Sequence, residues 1–169
     1  GYYLVMDSDG CAIEALKVLP EEGGVYVYGL NATGYRIGNR ISASEEGLDA
    51  MKSVLDAAKD DIPDVILCIG QAGGRASVTP ERIAVNIRDA RIPDNAGNQP
   101  RGEFVDSSGP AAYFSTLPVE AMAQAIRDAG VDATVSNSAG AFVCNDVLYS
   151  LLHHYDGTAV RVGFVHVPY

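Results

Sequence analysis

Cysteine, histidine and basic side chains are all scarce in this chain, and each scarcity narrows what it can do. The three cysteines, Cys11, Cys68 and Cys144, are odd in number, widely spaced and without a CxxC pair. That fits neither a disulfide framework nor a zinc site, so no metal is expected, and a reducing, cytoplasmic location is. Lys and Arg number 12 against 22 Asp and Glu, for a net charge of -10. A sequence-independent grip on nucleic-acid phosphates or an anionic membrane needs clustered cations, so neither nucleic acid nor membrane is expected as a partner. Small or neutral ligands fit better. No apolar run approaches the roughly 20 residues of a membrane span. The opening Gly1-Tyr2-Tyr3-Leu4-Val5-Met6-Asp7 also lacks the basic region and long apolar core of a secretory signal.

What is present suffices for one well-cored domain: 169 residues, 47% of them apolar, with no repeats, low-complexity tracts or linkers. Helices are expected over 12–19, over 45–59 behind a Ser44 cap, over 118–129 and over 140–154. Strands are expected over 25–30, 64–69, 82–89 and 160–167, with an extended piece at 133–136 and an irregular stretch over 92–109. Val65-Ile66-Leu67-Cys68-Ile69 is a continuous apolar run of the kind buried on both faces. Strands alternating with helices make this an α/β chain with a mostly parallel sheet and helices on both faces.

The stretch from Val135 to Asp146 carries the most chemistry. A short β-prone run passes through Ser136-Asn137-Ser138-Ala139-Gly140 into a helix whose apolar residues, from Phe142 to Tyr155, recur about every 3 to 4 positions. Cys144 falls in its first turn, where unpaired N–H groups and the helix dipole favour a thiolate. A cysteine there is also often a small inert hydrophobe, and Cys68, inside its apolar run, is read as core. A thiolate nucleophile needs a base. His153 and His154 lie roughly 13 to 15 Å along the same helix, out of reach, and read as solvated side chains near the helix C-terminus. That leaves His166 in the last strand, which could equally be a satisfied core histidine. An acid to orient the imidazole could be Glu81, Asp89, Asp94 or Asp106, and Glu81 could instead pair with Arg82 or Arg75. Arg88 and Arg91 could neutralise an oxyanion or pair with Asp89 and Asp94. Gly70-Gln71-Ala72-Gly73-Gly74-Arg75 follows a strand but has neither GxGxxG spacing nor a Walker lysine, so it reads as a tight loop approaching something small.

Five ordered blocks over residues 64–169 closely resemble the pyroglutamyl peptidase I (pyrrolidone-carboxylate peptidase) family. They are Ile69 to Arg75, Pro80 to Asn86 continuing through Asp89 to Pro100, Gly109 to Pro118, Ser136 to Gly140 with Cys144-Asn145, and Gly163 to Tyr169. The resemblance implies a thiol hydrolase that removes an N-terminal pyroglutamyl residue from peptides. Its fold would be a three-layer α/β/α sandwich with a mostly parallel twisted sheet; it would need no metal or other cofactor and would assemble as a homo-oligomer, a tetramer in many members. The family's catalytic residues match Glu81, Cys144 and His166. Phe142 matches the aromatic that helps hold the lactam ring, Gln71 lies in the glycine-rich loop at the ring pocket, and Arg91 matches an arginine near the catalytic centre.

The first sixty residues depart from that pattern. Gly1 to Gly10 stands where members carry a Phe-x-Pro-Phe-Gly-Gly loop, with Tyr2 in place of the first Phe, no counterpart of Pro-Phe-Gly-Gly and the preceding strand missing. The chain thus reads as one peptidase domain over 1–169, trimmed at both ends relative to the family. Two other readings stay open: a non-catalytic paralogue binding pyroglutamyl or small-amide ligands without the N-terminal aromatic clamp, and a cysteine amidase acting on another small amide.

Overall fold

The computed structural model describes residues 2–7, 26–30, 35–36, 65–94 and 97–168. In chain order the strands are β1 Tyr2–Asp7, β2 Tyr26–Leu30, β3 Tyr35–Arg36, β4 Val65–Ala72, β5 Thr79–Pro80, β6 Ile83–Val85, β7 Arg88–Asp89, β8 Arg101–Glu103, β9 Ala112–Phe114 and β10 Arg161–Pro168. The helices are α1 Val119–Asp128 and α2 Val143–His154. Six strands form one sheet in the order β3-β2-β1-β4-β10-β5. Its centre is parallel, β2 to β1 to β4 to β10, and direction reverses where β3 joins β2 and β5 joins β10. This is an α/β fold, as the alternation of patterns implied.

The opening segment, compared above with the family's loop, is itself a strand. Tyr2–Asp7 is β1 and lies hydrogen-bonded between β2 and β4, with Tyr2 opposite Ile66 and Asp7 opposite Gln71. Its Tyr-Tyr-Leu-Val run has the β-branched and aromatic character that a pleated surface favours. The helices expected over 12–19 and 45–59 lie outside the described residues, as do Ser44 and Tyr169. No helix among the described residues is long and apolar enough to cross a membrane.

Local polar bonds explain where the other expectations shift. The segment 82–89 was expected as one alternating strand, yet it divides into β6, paired with β9, and β7, paired with β8. Asn86 is the divider: its amide donates to the Asp106 carbonyl at 2.7 Å and its carbonyl accepts from the Asp106 N–H at 3.0 Å. Ile87 N–H folds back onto the Val85 carbonyl at 2.9 Å. The stretch expected to be irregular contributes β8. On β4 only alternate residues are fully buried, Ile66 and Cys68 among them. The strand enclosed on both faces is instead β10, where Val162 through His166 are buried in succession.

Helix α2 begins at Val143, not Gly140. Gly140 holds φ +84°, a left-handed conformation costly to any side chain, and its N–H is taken by Ser138 Oγ at 3.1 Å. A single apolar stripe was expected on α2, but Cys144 through Tyr149, Leu151 and Leu152 are all buried. Polar bonds make this burial possible. Tyr149 donates to the Pro110 carbonyl at 2.6 Å and its ring packs 5.2 Å from that of Tyr113. His153, expected to be solvated, is half-buried, its Nδ1 bonded to Tyr113 Oη at 2.7 Å, while His154 is exposed as expected. The core lies between α2 and the β4–β10 pair, with Cys68, Leu148 and Phe164 at its middle.

Two consequences can be measured. At Gly163 a Cβ would meet Leu117 Cδ1 at 2.5 Å and Ser115 Oγ at 2.9 Å. Gly163→Ala therefore overpacks the core and costs about 1–3 kcal/mol, seen as a lower urea midpoint with an unchanged slope. Burial pushes the Cys68 thiol well above its ordinary value, and charge on Cys144 acts in the same direction. The unfolded thiol ionises near pH 8.5 while the folded one stays neutral, so this contribution to stability is present below about pH 8.5 and is lost as pH rises above it. Cys68 accordingly resists iodoacetamide at pH 8 in native protein and is labelled only in urea.

Candidate active site

β10 carries His166 toward its C-terminal end, where it pairs with Gly70 of β4 on one side and Thr79 of β5 on the other. Two residues beyond Thr79, Glu81 N–H donates to the Phe164 carbonyl at 2.8 Å, which brings the acid beside the histidine strand. Glu81 Oε1 then lies 2.7 Å from His166 Nδ1. The acid is 0% exposed and the histidine 4%. An ionised carboxylate only accepts, so Nδ1 is the protonated nitrogen and Nε2 is left to exchange a proton.

A buried carboxylate is costly without positive partners. Arg75, at the end of the glycine-rich loop, supplies one: its Nη1 donates to the same Glu81 Oε1 at 2.6 Å and also to Thr79 Oγ1. Its Nη2 donates to the Ser138 carbonyl at 3.1 Å, in the turn before Cys144. Of the two arginines expected as partners of Glu81, Arg75 is the one found; Arg82 pairs with Glu120 instead.

The segment carrying Glu81 is zipped to the segment carrying Cys144 along much of its length. Ser136 N–H donates to the Pro80 carbonyl at 2.9 Å, Arg82 N–H to the Ser136 carbonyl at 2.8 Å, and Asp89 N–H to the Ala141 carbonyl at 2.7 Å. Between these, the Asn145 side chain accepts from Val85 N–H at 2.9 Å and donates to the Val85 carbonyl at 2.8 Å and the Ile87 carbonyl at 3.2 Å. The first turn of α2 is thereby fixed against β6 and β7.

Cys144 is buried, at 6% exposure, in the second position of α2, behind Phe142, whose extended backbone forms the N-cap. It shares the core cluster with Cys68 and Phe164. The Phe164 ring in turn packs 4.7 Å from the imidazole of His166. Gln71 is the penultimate residue of β4 and lies opposite Val167, one residue past His166. Phe142 is half-buried. Arg91 is exposed in the loop after β7; its carbonyl accepts from Gln99 at 2.8 Å, and no described side-chain bond ties it to Glu81 or His166. Arg88 pairs with Asp146 at 2.7 Å, and the partners once considered for the two arginines are engaged elsewhere, Asp89 with Arg101 and Asp94 with Asn98. Sequence reasoning missed the roles of Asn145 and Asp146, and the bond by which Arg75 also holds the Ser138 carbonyl. The signal available was two polar residues directly after Cys144, inside an otherwise apolar helix.

Comparison with known proteins bears on the family. The family model described as pyroglutamyl peptidase matches residues 34–169. The chain is similar to the pyrrolidone-carboxylate peptidase of Streptomyces coelicolor, 57% identical over 126 residues, which cover 73% of this chain and 57% of that protein. It is likewise similar to that of Escherichia fergusonii, 54% identical over 125 residues, again 73% and 57%. The chain thus spans little more than half the length of these curated relatives. Among solved structures, pyroglutamyl peptidase I of Bacillus amyloliquefaciens superposes with a TM-score of 0.82 at 34% identity, over 99% of this chain and 81% of that one. The pyrrolidone carboxyl peptidase of Thermococcus litoralis gives 0.71 at 32%, over 99% and 76%. A match over four-fifths of the chain and a shared fold at this identity settle its affiliation: the chain belongs to the pyroglutamyl peptidase family.

Proposed function

We propose that this chain is the catalytic part of a cysteine peptidase that removes an N-terminal pyroglutamyl residue from peptides, with Cys144 as nucleophile, His166 as general acid–base and Glu81 as the group that orients the imidazole. The observation that carries this reading is the buried 2.7 Å bond from His166 Nδ1 to Glu81 Oε1. It leaves Nε2 as the only ring nitrogen able to take and return a proton. Names of the relatives in hand, pyrrolidone-carboxylate peptidases, support the same substrate class.

The chemistry follows from the elements. His166 Nε2 takes the proton of the Cys144 thiol, and the thiolate attacks the carbonyl that joins the pyroglutamyl group to the next residue. The first N–H groups of α2 have no intrahelical acceptor and lie where negative charge develops on the tetrahedral oxygen. His166 returns its proton to the leaving amine, and water then hydrolyses the thioester by the same base. A lactam has no charged amine, so a pocket with apolar walls and few amide partners suits it. Phe142 and Gln71 are the wall and amide we assign to it, and Arg91 is assigned to the approach to the catalytic centre. Tetrameric assembly, which rests on the resemblance to the family, and a cytoplasmic location, which rests on the odd and widely spaced cysteines, belong to the same reading.

Release of a fluorophore from a pyroglutamyl amide tests the proposal. The purified protein cleaves it and leaves the corresponding prolyl amide intact, whereas Cys144→Ser and His166→Ala each lose at least about 10³-fold in kcat/KM. Turnover no higher than that of Cys144→Ser would reject the reading, and saturable binding of 2-pyrrolidone without turnover would put a binding protein in its place. Arg75 gives a separate check. Arg75→Met leaves Glu81 buried with one cationic partner fewer, so thermal unfolding shows a loss of about 3 kcal/mol, and kcat falls more than KM rises because the imidazole is no longer held.

A further inference from the structure

Arg88 has a role in this site that neither the family resemblance nor the triad geometry supplies. Its Nε donates to Asp146 Oδ1 at 2.7 Å, and the Asp146 side chain is 1% exposed. Asp146 is two residues after Cys144 in the first turn of α2, so a buried anion and the prospective thiolate draw on the same helix dipole. Residues two apart on a helix do not face each other. The carboxylate therefore acts on Cys144 through its field across a buried, weakly screened region, where a like charge opposes ionisation.

The pairing is built, not incidental. Asn145 grips the backbone of Val85 and Ile87 just before Arg88, and Asp89 N–H just after it donates to the Ala141 carbonyl at 2.7 Å. The guanidinium is thus presented to the first turn of α2 from a backbone held on both sides, and only 25% of its side chain is exposed. The titratable and charged groups on the elements that build the candidate site come, among the described residues, in sets. From the β5–β6 segment comes Glu81, paired with Arg75; from β10, His166; from β4, the neutral thiol of Cys68; from α2 and β7, Asp146 paired with Arg88. Glu81 and Asp146 are each paired with a guanidinium.

Resting on the reading of Cys144 as nucleophile, we propose that Arg88 is a positioning residue that neutralises Asp146 and so keeps the first turn of α2 able to hold Cys144 as a thiolate. The experiment is the pH dependence of Cys144 carbamidomethylation by iodoacetamide, followed by peptide mass mapping in the full chain, for the wild type, Arg88→Met, Asp146→Asn and the double variant. Arg88→Met raises the midpoint by about one pH unit or more, the direction expected when a buried like charge on the same helix turn loses a cationic partner. Asp146→Asn leaves the guanidinium alone and lowers the midpoint by about half a unit or more. The double variant returns to within about half a unit of wild type, which a loss of packing would not do. An unshifted Arg88→Met, or a double variant as displaced as Arg88→Met, would overturn the proposal. Should Arg88→Met not fold, Asp146→Asn decides alone: a midpoint that stays or rises rejects it. Alkylation needs no turnover, so failure of the peptidase reading would show as absent hydrolysis with these shifts intact.

Discussion

Everything at this site hangs on one carboxylate that has been taken out of water. Glu81 is wholly enclosed, and an enclosed anion survives only where cationic donors reach it. Its Oε1 accepts from Arg75 and from His166, at 2.6 Å and 2.7 Å. Both donors are committed elsewhere as well, since Arg75 holds the Ser138 carbonyl and His166 is locked into β10 between two neighbours. The acid therefore fixes the distance between the glycine-rich loop, the last strand and the turn leading into α2. A substitution at any of these points is felt at the others, because no partner can move without exposing the charge.

Much of this was legible in the sequence, and the physical reason is periodicity. β4, β10 and the two described helices each run eight residues or more, long enough for a repeat to declare itself, and the placement of Cys144 in a first turn followed from the apolar residues beyond it. β5, β7, β8 and β9 hold two or three residues each and contain no period to read. They form because partners distant in sequence supply the other half of the ladder. Side-chain pairings were hidden for the same reason: Arg88 finds Asp146 across 58 positions and Glu81 finds His166 across 85. Pattern alone left four acids competing to orient the histidine. Family resemblance chose Glu81, and the bond to His166 gives that choice a geometric basis.

Polar residues inside α2 are the instructive failure. An amphipathic reading assigns Asn145, Asp146 and Tyr149 to the wet side, yet all three are buried. Each satisfies itself against backbone or an opposite charge on a neighbouring segment: Asn145 on β6, Asp146 on Arg88, Tyr149 on the Pro110 carbonyl. Hydrophobicity scales cannot register this, because the compensation lies in the partner and not in the residue. The helix is consequently a hub touched on several sides.

The position of β10 has a bearing on how the molecule fluctuates. At His166 this strand is bonded to a neighbour on either flank, so its amide hydrogens exchange only through openings close to global unfolding. The turn from Asn137 to Gly140 is largely exposed and held by a few side-chain bonds, and its openings are shallow and frequent. His166 and the turn that leads into α2 thus reside in regions of different local stability. On warming, openings of that turn precede any yielding of the sheet, so the chain passes through folded states in which the approach to α2 is loosened while β10 stays intact.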